Sequence, residues 1–183
     1  MMRAAFVPLA GVLLFGAGCK GPNHVDGKIG DEAFPEVREA IFVGDADSDS
    51  ADLKILMATY NNACTNYDYY VRFQQYDADN ALLDEADSDP RYLLFTLSLE
   101  GMDPFAENPI VEPGGLIGDG PSFITGRYRF ADGAGQFDEI PFESGTLTLS
   151  DFNDDGNLEG EFTVELTGGD SLTGGFEAVE CDL

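Results

Sequence analysis

Residues 151 to 159 read DFNDDGNLE, and their oxygen-bearing side chains are spaced to suit a hard cation. Asp151, Asn153, Asp155 and Glu159 fall at positions 1, 3, 5 and 9 of a calcium loop, with Gly156 at position 6, where such a loop turns sharply. Alternate side chains converge on one ion in that pattern, so these four residues are the candidate calcium ligands. Position 12, which carries a bidentate Glu in such loops, is Phe162. The same stretch also reads as a hairpin turn, because Asp-Gly between two alternating strands is ordinary turn chemistry. Both readings stay open. A second acidic run, DADSDSAD from Asp45 to Asp52, has Asp45, Asp47 and Asp49 at similar spacing but Ser50 where the glycine belongs. Together with the run from Asp77 to Asp89, it reads as solvated loop.

Catalytic constellations are scarce. The chain has one histidine, His24, so it offers no imidazole pair and no His-rich metal site. Two carboxylates can hydrolyse a glycoside when geometry brings them together, but with 35 acidic residues the sequence selects no pair. No phosphate-cradling loop or nucleotide fingerprint is present, and the expectation is a protein that is not an enzyme. A net charge of −26 repels nucleic acid and anionic membrane surfaces, which leaves metal cations, basic partners or saline solvent as counterions. The absence of tryptophan argues against a carbohydrate-binding platform.

Cys19 ends the stretch LLFGAGC. Ahead of it Arg3 supplies a positive start, an apolar run extends from Ala4 to Phe15, and Gly16, Ala17 and Gly18 are small. The run is short for a transmembrane helix, which needs about 20 apolar residues. These features resemble a bacterial lipoprotein signal peptide, although Gly16 stands where that family usually carries an aliphatic residue. The resemblance implies that residues 1–18 are removed, that Cys19 becomes the lipid-modified first residue, and that 19–28 tether the lipid to the fold. Each buried acyl methylene contributes roughly 0.8 kcal/mol, so two or more chains anchor stably. Lys20 is not the Asp that favours inner-membrane retention, which points to the outer membrane, with its face left open. The alternative is an ordinary cleaved signal next to an unmodified thiol.

With Cys19 assigned to lipid, Cys64 and Cys181 remain as an even pair in an oxidising compartment, and a disulfide is the economical expectation. It would close a loop of roughly 118 residues, worth about 4 to 5 kcal/mol in the chain-entropy model. Two buried free thiols are the alternative.

The elements that must position these residues follow period two. Leu158, Gly160, Phe162, Val164 and Leu166 alternate with polar residues, and so do Leu172, Gly174, Phe176 and Ala178, with TGGDS as the turn between them. Leu147 and Leu149 continue the pattern upstream, which gives three consecutive antiparallel strands. Further strand candidates are HVDGKIG and EAIFVG on either side of Phe34, DLKILMATY, YYVRFQQY from Tyr69, RYLLFTLSL and SFITGRYRF. NALLDEAD, Asn80 to Asp87, is the one helical candidate. About eight to nine strands over residues 29–183 predict a single all-β domain, an antiparallel sandwich or small barrel.

Gly27, Ile29, Gly30 and Phe34, then Cys64, then the closing hairpin Leu158, Gly160, Phe162, Leu166 with Gly175, Phe176, Ala178 and Cys181, resemble a loose group of bacterial envelope lipoproteins. That similarity implies the β fold and the Cys64 to Cys181 pairing, and carries over no activity. The function expected is therefore a lipid-anchored, non-enzymatic binding or structural component of the envelope, reaching the membrane through its anchor and engaging an envelope protein or small ligand. A calcium-binding surface module and a carrier with an internal apolar cavity are the alternatives, with a carboxylate-based hydrolase ranked below them.

Overall fold

The computed structural model describes residues 21–44, 50–74, 89–100, 122–132, 134–152 and 156–183. The expected leader, Cys19, most of the acidic run from Asp45, the helical candidate at Asn80 to Asp87, and the calcium-ligand candidates Asn153 and Asp155 lie outside the described residues.

Among the described residues the strands are β1 (His24–Ile29), β2 (Glu32–Ala33), β3 (Glu39–Gly44), β4 (Ser50–Ala58), β5 (Arg91–Glu100), β6 (Ser122–Ala131), β7 (Phe137–Phe152), β8 (Leu158–Leu166) and β9 (Ser171–Glu180). β3 to β9 form a seven-stranded barrel, and β1 and β2 are added outside it in the same sheet. All neighbours run antiparallel except at the seam, where β3 and β9 pair in parallel through Ile41 with Val179 and Phe42 with Glu180. On its other edge β9 meets β8, while Leu172–Gly175 of β9 pair with β1. β1 falls within the strand candidate HVDGKIG, and it begins inside the stretch 19–28 also read as tether.

Alternation fills the interior. Leu53, Ile55 and Met57 of β4, Leu93, Phe95 and Leu97 of β5, and every second residue of β8 from Leu158 to Leu166 except glycine join one buried apolar cluster. Phe95 packs on Phe142 and Phe162 with ring centroids 5.2 and 5.1 Å apart. Glycines make room for these rings: a Cβ at Gly126 would overlap the Phe142 ring, and one at Gly174 would overlap the His24 carbonyl oxygen and the Phe162 ring. Phe34 and Val37, from the loop before β3, also pack into this cluster.

Part of the sheet is apolar on both faces. On its outer side Ile41, Leu56, Ala58, Tyr92 and Leu94 are buried under residues 59–74, which fold back after β4 and form a second cluster with Tyr60, Tyr67, Tyr70 and Val71. The strand expected from Tyr69 is a single wide helical turn, Asp68–Arg72, in which the Phe73 N–H donates to the Asp68 carbonyl at 2.9 Å. The reason lies in the burial pattern. Tyr70 and Val71 are buried side by side while Tyr69 and Phe73 are exposed, a sequence of environments that an alternating strand cannot provide.

Candidate functional site: the stapled outer face

Three local devices hold residues 59–74 on the barrel. Asn62 takes a positive φ of 59° and reverses the chain, and the Glu39 carboxylate accepts the Asn62 and Ala63 N–H groups at 2.8 and 2.7 Å. Cys64 is joined to Cys181, with Cα atoms 5.6 Å apart, an ordinary separation for a disulfide. The Cys181 N–H donates to the Phe42 carbonyl at 2.9 Å, which fixes the other half of the staple to the seam strand.

Beneath the segment lies a tyrosine cluster. Tyr60 meets Tyr70 edge-on at 4.9 Å, and Phe137 meets Tyr70 and Tyr92 at 5.3 and 5.2 Å. Such pairs contribute about 0.5 to 1.5 kcal/mol each beyond their buried area. Arg129 penetrates this cluster. Strand register sets it between Tyr92 of β5 and Glu139 of β7. Its guanidinium donates to the Val71 carbonyl at 3.3 Å, to the Tyr92 hydroxyl at 3.1 Å and to the Glu139 carboxylate at 3.0 Å. The Tyr92 hydroxyl donates in turn to the Tyr70 carbonyl at 2.7 Å. One buried cation therefore links β5, β6, β7 and the overlying segment. Burial alone would raise the Glu139 pKa, but the hydrogen bonds from Arg127 and Arg129 outweigh it and hold the carboxyl below its ordinary range. Burial pushes the Tyr67 hydroxyl up to about 12.

The covered face stops short of the β3–β4 end, where Val43 stands opposite Lys54. There an open groove of about 670 Å³ runs between the helical turn and the chain after β9, lined by Val43, Lys54, Tyr67, Arg72, Glu180 and Asp182 among others. Arg72 pairs with Asp68 at 3.0 Å, and Lys54 makes no ion pair among the described residues. The large apolar side chains that stand exposed among the described residues are Tyr69 (55 %), Phe73 (64 %), Val179 (53 %) and Leu183 (64 %). All four lie within nine positions of a half-cystine, on the two segments that the disulfide joins.

Of the residues singled out by spacing, the described ones, Asp151 and Glu159, are neighbours where β7 meets β8. Asp151 of β7 pairs with Glu159 of β8, and Glu159 with Glu177 of β9, so the register lines up three carboxylate residues on neighbouring strands. The Asn157 side-chain amide donates to Glu177 at 3.0 Å. No group of three or more His, Cys, Asp or Glu is placed to hold a metal ion among the described residues. His24 pairs with Gly175 in the sheet and lines a shallow depression with Thr146, Thr148, Thr163, Thr173 and Glu161. At the barrel end near Phe34, Glu32, Glu36 and Asp89 share another concavity with Arg38 and Arg91, and Arg91 donates to Asp89 at 2.9 Å and reaches Glu32 at 3.5 Å.

The sequence pattern missed the stapled face because its signal is the loss of alternation. NYDYYV places tyrosines side by side where a strand would alternate, and the even residues Tyr92 and Leu94 of β5 are as apolar as its odd ones. No family model, curated protein or solved structure matches this chain.

Proposed function

We propose that this protein is a non-enzymatic binding component of the bacterial envelope, anchored by lipid on Cys19 and presenting the stapled outer face to a partner. The exposed apolar side chains carry the proposal: on a chain with net charge −26, the large ones that stand exposed among the described residues all belong to the two segments that the Cys64–Cys181 disulfide joins. Aromatic residues beside a preformed groove are the usual anchors of protein interfaces. The packed interior supports surface recognition over internal carriage, because Phe95, Phe142 and Phe162 occupy the space a ligand would need. The anchor rests on the stretch ending at Cys19 and on the compartment that a Cys64–Cys181 disulfide suits. An outer-membrane location follows from Lys20. With β1 starting at His24, a lipid on Cys19 would hold the barrel within a few residues of the bilayer.

The test is a photoreactive amino acid placed at Phe73, and at Thr173 as control, in producing cells. Adducts with an envelope protein at position 73 and none at 173 are expected. Equal yields at both positions, or none at 73, would contradict the proposal.

Calcium binding at the β7–β8 turn is a second reading, and it rests on the spacing of DFNDDGNLE together with the register that sets Asp151 opposite Glu159.

A further inference from the structure

We propose that the partner recognised by the stapled face is a basic polypeptide, one that presents apolar side chains to Tyr69, Phe73 and Val179 and lysine or arginine to Glu180 and Asp182. This deepens the binding function proposed above and rests on it. Two features of the face select that class. Tyr69 and Phe73 meet edge-on with ring centroids 6.3 Å apart, so they form one aromatic ridge on the outside of the helical turn. Asp68 and Arg72 of the same turn line the groove, in which Glu180 and Asp182 are exposed carboxylates while Arg72 is neutralised by Asp68. Apolar anchors together with carboxylates that make no ion pair among the described residues complement a surface with an apolar centre and a basic rim.

Charge also decides between occupants. A second copy would bring two chains of net charge −26 together, and an anionic bilayer would meet the same repulsion. A basic polypeptide is steered inward by that field, and the aromatic ridge then fixes where it docks. Lys54, half-buried in the groove, offers one contact to a carboxylate or carbonyl of the partner. Tyr67, also lining the groove, is buried with a hydroxyl that has no hydrogen-bond partner among the described residues.

The experiment uses the intact protein with two synthetic peptides of equal length, one alternating lysine with leucine and phenylalanine, the other with glutamate in place of lysine, and with vesicles of anionic phospholipid. The lysine peptide is expected to bind at low and at high ionic strength. Phe73→Ser should weaken that binding at least tenfold at high salt, and Glu180→Lys with Asp182→Lys should weaken it several-fold, while Glu161→Gln, in the depression beside His24, leaves it unchanged. Circular dichroism of each variant separates lost binding from lost fold. Binding that vanishes with salt and ignores Phe73→Ser would mean attraction to the bulk negative charge only, and would overturn the proposal. Equal binding of the glutamate peptide through Phe73, or stronger binding of the vesicles, would overturn the basic-polypeptide class and leave the docking face standing. Failure of the crosslink at position 73 in cells would remove the face itself.

Discussion

Arg129 on β6 and Glu139 on β7 are cross-strand neighbours held at 3.0 Å, and the arginine is buried while the carboxylate is half in solvent. The pair locks the outer layer to the barrel, because the same guanidinium reaches the Val71 carbonyl above and the Tyr92 hydroxyl beside it. Arg129→Met keeps most of the volume but strips these donors from their buried acceptors. A loss of about 2 to 4 kcal/mol in denaturant unfolding is expected. A loss under about 0.5 kcal/mol would mean that the cation does not join the layers.

Acid should loosen the same junction. The Glu139 pKa is depressed in the folded state, so its contribution is present above the ordinary carboxylate range and is lost as pH falls through its lowered value. Glu139→Gln should therefore flatten the acid limb of the stability profile, as measured by urea midpoints across the acidic range.

The alkaline limb has the opposite sign. Burial raises the folded Tyr67 pKa from 10.0 to about 12, so its contribution is full below pH 10 and disappears as pH climbs towards 12. Tyr67→Phe should resist alkaline unfolding better than the parent, as followed by tyrosinate absorbance together with circular dichroism. An unchanged midpoint would show that other groups govern that limb.

Cutting the staple should release the outer layer before the barrel. Replacing Cys64 and Cys181 with serine removes a cross-link spanning 117 residues, at a cost of about 2 to 5 kcal/mol. Hydrogen exchange should rise across residues 66–73 while the amides of β8 stay protected. A uniform rise would indicate that the two layers unfold as one.

Calcium gives a yes-or-no result. If the β7–β8 turn binds it, millimolar calcium raises the melting temperature, chelator reverses the rise, and Glu159→Gln abolishes it. Identical melting curves with calcium and with chelator would remove that function.

The barrel was legible where one face is buried and the other wet, as in Leu158–Leu166, whose alternation is uninterrupted, and in Ser171–Phe176 of the following strand, where Leu172 and Phe176 face inward. It was legible only in part where both faces are buried, because Tyr92 and Leu94 point outward yet are as apolar as Leu93 and Phe95. The first half of β7 escaped notice for a local reason: the register shifts between Phe142 and Ser144, which breaks the period that Leu147 and Leu149 begin. The segment that carries the helical turn is held by contacts distant in sequence, Glu39 with Asn62 and Ala63, Cys181 with Cys64 and Arg129 with Val71, and no local pattern encodes these. Cysteine parity pointed to the staple, but nothing in the spacing announced that exposed aromatics would gather around it.

The anchor has a separate check. Cys19→Ser should move the protein from the membrane to the soluble fraction, and the intact mass of the native product should include acyl chains. A variant that stays membrane-bound would point to another tether.

Hydroxyl-radical footprinting of the protein in its native membranes, set against the purified protein, tests the working surface most directly. Tyr69 and Phe73 should be markedly less modified in the membranes, with Phe130 as an unchanged internal reference. Equal modification of Tyr69 and Phe73 in both settings would mean that nothing docks on the stapled face.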